Sequence, residues 1–144
     1  MKTSNTRWVL GHKVTSYPTS GDYDLMMAET PAHVPGPPPH MHNSYEESFI
    51  IVEGEMEFFV NGETIVVKAG ESLDVPARTL HTFNNKSDKP CKWVNIHSPK
   101  GFLDFFEVIG IPAEEENAQE RSSQPSIIQK VIAQAVDFDM NIGQ

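Results

Sequence analysis

His40 and His42 flank Met41, and Glu47 follows after four intervening residues. Residues two apart on an extended strand share a face, so both imidazoles can enter one cavity. Glu47 would open the next strand. His81, much further along, falls on another short strand after a turn. Three imidazoles and one carboxylate suit a borderline divalent metal, Fe, Mn, Co, Ni, Cu or Zn. On a six-coordinate ion they leave two positions for water, substrate or dioxygen. A single His in a strand is more often a hydrogen-bonded structural residue, and a His-x-His pair alone says little. The surrounding spacing carries the reading. Cys91 is the only cysteine, so neither an intrachain disulfide nor a multi-cysteine zinc site can form. As a small buried hydrophobe it is accounted for.

The elements that would position these residues read mostly as β. Trp8 to Val14 and Tyr23 to Glu29 are short apolar stretches bounded by polar, Gly and Pro residues. Residues 31–39 contain five prolines, which lack the N–H a helix needs, so this segment is a stiff lead-in to the His pair. Glu47 to Val52 and Glu55 to Val60 form two strands around Gly54. Asn61-Gly62 is a hairpin signal, because both residues tolerate the positive φ angles of a type I′ turn. Thr64 to Val67 returns, Ala69-Gly70 turns again, and Leu73 to Val75, Leu80 to Phe83 and Lys92 to Ile96 add short strands. Many short strands at regular spacing predict an antiparallel sandwich or barrel.

The pattern changes at Ser98, which can cap a helix with Pro99 in its first turn. Phe102, Phe105, Phe106 and Ile109 then recur at helical spacing until Gly110. Such a stripe can line a ligand pocket, but packing on the core is its commoner role and is expected here. Glu114 to Glu116 read as a solvated face. Ser126 and Gln129 have capping-box spacing at the start of a last helix. Its apolar stripe (Ile127, Ile128, Val131, Ile132, Ala135, Val136) must bury itself on the strands or on another subunit.

The 144 residues suggest a single domain, strands over about 5–97 and helices over about 98–144. A net charge of −9 disfavours a nucleic-acid binder, which needs surplus Lys and Arg, and a protein held electrostatically on anionic membranes. No apolar run approaches transmembrane length. The first residues lack the apolar core of a signal peptide, so a cytoplasmic protein is expected.

The spacing of the His and Glu residues resembles that of the cupin superfamily. Its first motif has His-x-His, three or four residues, Glu, six residues and Gly; here His40, His42, Glu47 and Gly54 follow that pattern. Its second has Gly, five residues, Pro, x, Gly, two residues, His, three residues and Asn. Here Gly70, Pro76, His81 and Asn85 match, with Arg78 in place of the internal glycine. The first motif's leading glycine is displaced too, since Val34 holds its place and Gly36 lies nearby. Both departures concern turn geometry and neither removes a ligand. Ser98 to Phe106 also looks like the post-barrel segment of small quercetinase-like cupins.

The resemblance implies an antiparallel jelly-roll barrel with helices packed outside, and one divalent transition metal held by His40, His42, Glu47 and His81. Glu46 competes with Glu47, but only Glu47 leaves six residues before Gly54, and neighbouring strand residues face opposite ways. The first function implied is a metal-dependent dioxygenase acting on a small phenolic or oxygen-rich molecule, with Glu47 also acting as general base. The alternatives are an oxygen-independent isomerase, lyase or cyclase, and a non-catalytic small-molecule binding module. Tyr45 and Asn43 are loop residues that could act at the entrance. Arg78 could hold an anionic substrate, and His97, closing a late strand, could support the ligands. His12 and His33 have no spacing argument. Small cupins commonly dimerise, so a homodimer is expected, with the strand around Trp8 to Leu10 and the last helix as interface elements.

Overall fold

Turns with positive φ cut the first two thirds of the chain into hairpins in a computed structural model that describes residues 5–143. β1 (Asn5–Val9) and β2 (His12–Tyr17) are joined by Leu10 and Gly11, at φ 50° and 86°. The expected stretch from Trp8 to Val14 is therefore two paired strands, not one. β3 (Asp24–Thr30) follows, then the proline-rich segment, then the two-residue β4 (His40–Met41). β5 (Glu46–Glu53) meets β6 (Glu55–Val60) at Gly54, whose φ is +82° and where an added Cβ would lie 2.6 Å from the Pro90 carbonyl oxygen. Only glycine fits there. β6 turns through Asn61 (φ 47°) and Gly62 (φ 87°) into β7 (Glu63–Lys68), as the Asn-Gly pair predicts. β8 (Ser72–Val75), β9 (His81–Asn84) and β10 (Cys91–Ser98) complete the main strands.

Two antiparallel sheets result. One has seven strands, with β11 (Ile111–Pro112) at its edge, in the order β11-β1-β2-β3-β10-β5-β8. The other has five, with β12 (Asn141–Ile142) at its edge, in the order β12-β4-β9-β6-β7. Among the described residues no strand ladder joins the two sheets, so the expected closed barrel is not found. The chain changes sheet at turns, at Gly54 and at Ala69-Gly70, rather than along continuous paired strands. Between the sheets Phe49 of β5 packs on Phe58 of β6 at a ring distance of 4.9 Å, and on Trp93 of β10 at 5.5 Å. Cys91 is fully buried here, and burial, reinforced by Glu55, pushes its thiol up to about 11. It is an inert packing residue.

The helices are few and C-terminal. α1 (Leu103–Ile109) begins five residues after Ser98, which is not its cap. Ser98 instead pairs with Glu46 in the β10–β5 ladder, and a residue before proline favours extended backbone. α2 (Ala118–Arg121) is one turn, and the exposed Glu115 pairs with Arg121 at 3.1 Å. α3 (Pro125–Gln134) carries Pro125 at its start with Gln124 as N-cap, so Ser126 lies inside the helix and forms no capping box. A 3-10 turn (Ala135–Phe138) extends it. Val131 and Ala135 are buried, but Ile132 is 54% and Val136 70% exposed. Only one edge of the apolar stripe is buried. β1 is flanked by β2 and, over Arg7 and Trp8, by β11, with Trp8 opposite Ile111. No helix among the described residues is long and apolar enough to cross a membrane.

Candidate metal centre

Strand register explains how residues distant in sequence meet. His40 of β4 stands opposite His81 of β9, on neighbouring strands of the five-stranded sheet. Glu47 of β5 faces them from the seven-stranded sheet, because β5 alternates and turns Glu47 inward while Glu46 stays exposed. His42 lies just past the end of β4 and continues its alternation. One ligand atom from each of His40, His42, Glu47 and His81 lies within 4.8 Å of the others, and all four residues are buried.

The hydrogen bonds around the cluster set the state of each ring. His40 Nδ1 bonds the Pro38 carbonyl oxygen at 2.9 Å, His42 Nδ1 that of Asp139 at 2.8 Å, and His81 Nδ1 that of Thr79 at 2.8 Å. A carbonyl oxygen only accepts, so each Nδ1 carries the proton. In the neutral ring Nε2 is then left with its lone pair, as a metal requires. His81 Nε2 lies 2.7 Å from Glu47 Oε2, and His42 Nε2 lies 3.2 Å from the same oxygen. His42 Nε2 is buried without a hydrogen-bond partner. Lone pairs converging on a carboxylate repel unless a proton or cation lies among them. The donor set therefore fits a divalent metal.

The titration behaviour follows. Burial, helped by the charge of His81, lowers His40 to about 3, so it stays a neutral donor. Burial also disfavours charge on His81, but its hydrogen bond to Glu47 and the Glu47 charge outweigh this and raise its pKa. Burial alone would raise Glu47; His97 and the hydrogen bonds of the neighbouring imidazoles prevail and hold it well below the usual carboxylate range.

The cluster forms one end of a cavity of about 70 Å³. Phe102, Phe105 and Phe106 line it, so the aromatic stripe is a pocket wall as well as a packed helix face. Phe102 is fixed by Asp24 of β3, whose Oδ2 accepts the backbone N–H groups of Gly101 and Phe102 at 3.0 and 2.9 Å. Its ring lies 4.9 Å from that of His42. Among the described residues no Lys or Arg lines the cavity.

The remaining sequence candidates divide. His97 is buried, lines the cavity and places Nε2 2.6 Å from Glu47 Oε1. Tyr45 is half-buried against His42 and Phe102, with ring distances of 5.9 and 5.6 Å, and burial followed by the charges of Asp24, Asp139 and Asp104 raises its pKa. Arg78 is exposed, outside the cavity lining, and donates to the Asn43 carbonyl oxygen at 3.4 Å. That places it away from any anion in the cavity. It keeps the turn its missing glycine would make, at φ 60°. Asn43 is exposed, and its N–H bonds Asp139 Oδ1 at 3.0 Å. His33 pairs with Asp88 on the surface at 2.8 Å. His12 lines the far side of the cavity, bonded to Thr30 and to the Pro35 carbonyl oxygen.

Sequence reasoning missed the C-terminal strap. Asp139 supplies the carbonyl oxygen that orients His42, and its carboxylate accepts the N–H groups of Asn43 and Ser44 at 3.0 and 2.7 Å. β12 then pairs with β4, Ile142 opposite His40, and Met140 enters the cavity lining. No local spacing announces a residue that acts on a loop 97 positions away.

The cupin domain family matches residues 26–97, half of the chain and all four clustered residues. The chain belongs to the cupin family. This cupin is 35% identical over 75 residues to the quercetin 2,3-dioxygenase of Bacillus subtilis (strain 168), an overlap of 52% of this chain and 22% of that protein. It is 35% identical over 60 residues to the polyketide synthase CurC of Streptomyces cyaneus, covering 42% of this chain and 39% of that one. The cupin thus spans well under half the length of these curated relatives. In fold it resembles an RmlC-like cupin from Shewanella frigidimarina NCIMB 400, with a TM-score of 0.61 and 21% identity over 70% of this chain and 88% of the other.

Proposed function

We propose that this cupin is a metal-dependent dioxygenase acting on a small, uncharged phenolic or enolic molecule. The observation that carries the reading is the pairing of a three-His, one-Glu donor set with an aromatic cavity that no cationic side chain lines among the described residues. A substrate whose binding depends on carboxylate or phosphate groups finds no Lys or Arg there. The similarity to a quercetin 2,3-dioxygenase supports the oxidative chemistry. It does not carry the substrate over.

His40, His42, Glu47 and His81 would hold the metal. When bound, it supplies Lewis acidity that favours the anion of a substrate hydroxyl. Among the described residues Glu47 is the one acidic side chain lining the cavity, so it is the candidate acceptor of the hydroxyl proton, a weak base because His97 and the neighbouring imidazoles hold its pKa low. Phe102, Phe105 and Phe106 exclude water and hold the ring, and the strap residue Met140 closes the wall beside His42.

The test is oxygen consumption by protein loaded separately with each candidate metal, using single-ring catechols, phenols and enolic diketones. Uptake stoichiometric with product is expected for at least one redox-active metal. No uptake across the panel would sink the dioxygenase reading. The second reading is an oxygen-independent isomerase, lyase or cyclase, in which the same Lewis acid would polarise a carbonyl. Anaerobic turnover with redox-inert zinc would select it. Tight binding without turnover would leave a small-molecule binding module.

A further inference from the structure

We propose that His97 is a positioning residue that commits Glu47 to a single-oxygen bond with the metal and offers its other ring nitrogen to the substrate. The proposal rests on the metal-centre reading above. Glu47 and His97 stand directly opposite one another in the β5–β10 register, so their side chains leave the same face of the sheet side by side. His97 Nε2 lies 2.6 Å from Glu47 Oε1. An ionised carboxylate only accepts, so Nε2 carries the proton and donates. Oε2 turns the other way, 2.7 Å from His81 Nε2 and 3.2 Å from His42 Nε2. The carboxylate is divided, one oxygen toward the three ligand histidines and one held by the sheet. Chelation through both oxygens would require breaking a short, charge-assisted hydrogen bond, among the stronger kinds a protein makes. The coordination position a second oxygen would take stays available to a molecule in the cavity.

The second nitrogen gives the ring its other role. His97 is 1% exposed, and its Nδ1 has no hydrogen-bond partner. A buried polar atom without a partner is destabilising, and His12, by contrast, has both ring nitrogens bonded. Nδ1 is thus the ring atom left for a molecule in the cavity, which the ring lines beside Phe102 at 4.7 Å. The substrate class narrows accordingly. It carries one oxygen for the metal and one donor group for His97, both on a compact aromatic or enolic frame, as in a catechol.

Cobalt(II) is the probe, because its visible spectrum reports coordination number, and catechol and anisole are the test ligands. Wild type, His97→Gln and His97→Leu are first checked by thermal melting, then loaded with cobalt. In wild type, catechol perturbs the cobalt spectrum at least about tenfold more tightly than anisole, which has no hydroxyl. Leu at position 97 frees Oε1, so the cobalt bands weaken and shift toward those of higher coordination. Catechol affinity falls by about tenfold or more, the upper part of what supporting residues around metals usually contribute. Gln, which keeps an N–H donor, restores the wild-type spectrum and not the catechol affinity. A His97→Leu protein with bound cobalt, an unchanged spectrum and unchanged catechol affinity would overturn the proposal. Should His97→Leu fail to fold or to take cobalt, His97→Gln decides: a wild-type spectrum supports the proposal, and a shifted one overturns it. Wild-type protein that takes up no cobalt removes the metal-centre reading itself, a distinct result.

Discussion

The two ends of the cavity use buried histidines in opposite ways. At the far end His12 has every polar atom answered. Trp93 Nε1 donates to Thr30 Oγ1 at 2.9 Å, Thr30 lies 2.9 Å from His12 Nδ1, and His12 Nε2 donates to the Pro35 carbonyl oxygen at 3.1 Å. The chain of donors and acceptors closes on itself and leaves His12 neutral. At the cluster end the Nδ1 atoms of His40, His42 and His81 are satisfied by the backbone, while His42 Nε2 and His97 Nδ1 are left without partners. Completed hydrogen bonding stabilises the fold. Incomplete hydrogen bonding, in the same cavity, marks where something else is to bind. Burial alone does not distinguish the two ends, since all these rings are almost fully enclosed.

The strongest way to break this comparison is to remove a ring from the cluster. His81→Ala deletes one donor atom, the Nε2 that lies 2.7 Å from Glu47 Oε2. Metal affinity should fall by more than about a hundredfold, beyond the range expected for supporting residues. Isothermal titration with zinc, beside elemental analysis of gently purified wild type, measures it. Affinity within about tenfold of wild type would mean that His81 is not a ligand.

The matching change at the other end is His12→Leu. It should leave zinc affinity within about twofold of wild type while costing about 1–3 kcal/mol of stability, because the Pro35 carbonyl oxygen loses its donor. It should also change the pH profile. Burial lowers His12 from 6.5 to about 4, with the Pro35 hydrogen bond opposing in part. Between those values the unfolded chain binds a proton that the folded one refuses. Stability from this group is therefore complete above about pH 6.5 and declines as pH falls toward 4, by on the order of 3 kcal/mol. His40 acts in the same direction. Denaturant melts of metal-free protein from pH 7 to 4 should show a shallower decline in His12→Leu than in wild type. An equal decline would show that His12 is not the neutral, structural member of the pair.

The two ends also differed in what the sequence disclosed. The candidate ligands His40, His42 and Glu47 were legible because their spacing is local, two rings sharing a face and β5 alternation separating Glu47 from Glu46, whereas His81 entered through the motif resemblance. The Asn61-Gly62 hairpin was legible because its residue types tolerate positive φ. Leu10 holds a positive φ without being a turn-forming type, so the first hairpin read as one strand. Ser98-Pro99 carried a helix-start signal that the ladder to Glu46 overrode. His97 and Asp139 act through pairings 50 and 97 residues apart, which depend on sheet register and on a C-terminal return that no local pattern encodes. The open edges of the sheets likewise come from where the chain changes sheet, which strand spacing does not specify.

Asp139 sharpens the comparison from outside the cavity. Its carbonyl oxygen fixes the His42 tautomer, and its carboxylate holds the loop that follows. Asp139→Ala removes the two carboxylate bonds and places alanine at φ 53°, where a Cβ is strained. Zinc affinity should drop by about tenfold, at the lower end of what such supporting contacts contribute. Amide exchange at Asn43 and Ser44 should accelerate. Unchanged zinc affinity would mean that the strap covers the site without orienting it.

Arg78 should give the smallest effect, and it separates turn geometry from chemistry. Its φ of 60° is the conformation glycine adopts most easily, and its N–H bonds the His42 carbonyl oxygen at 2.6 Å. Arg78→Gly relieves the left-handed strain but gives the unfolded chain more freedom, and the two nearly cancel. Stability should change by less than about 1 kcal/mol. The exposed guanidinium contacts only the Asn43 carbonyl oxygen among its hydrogen bonds, so zinc affinity and catechol binding should stay within about twofold. A large loss of affinity for an anionic ligand such as benzoate, with neutral catechol unaffected, would show that Arg78 reaches the cavity after all. It would also reopen anionic molecules as substrates of a site otherwise lined by neutral walls.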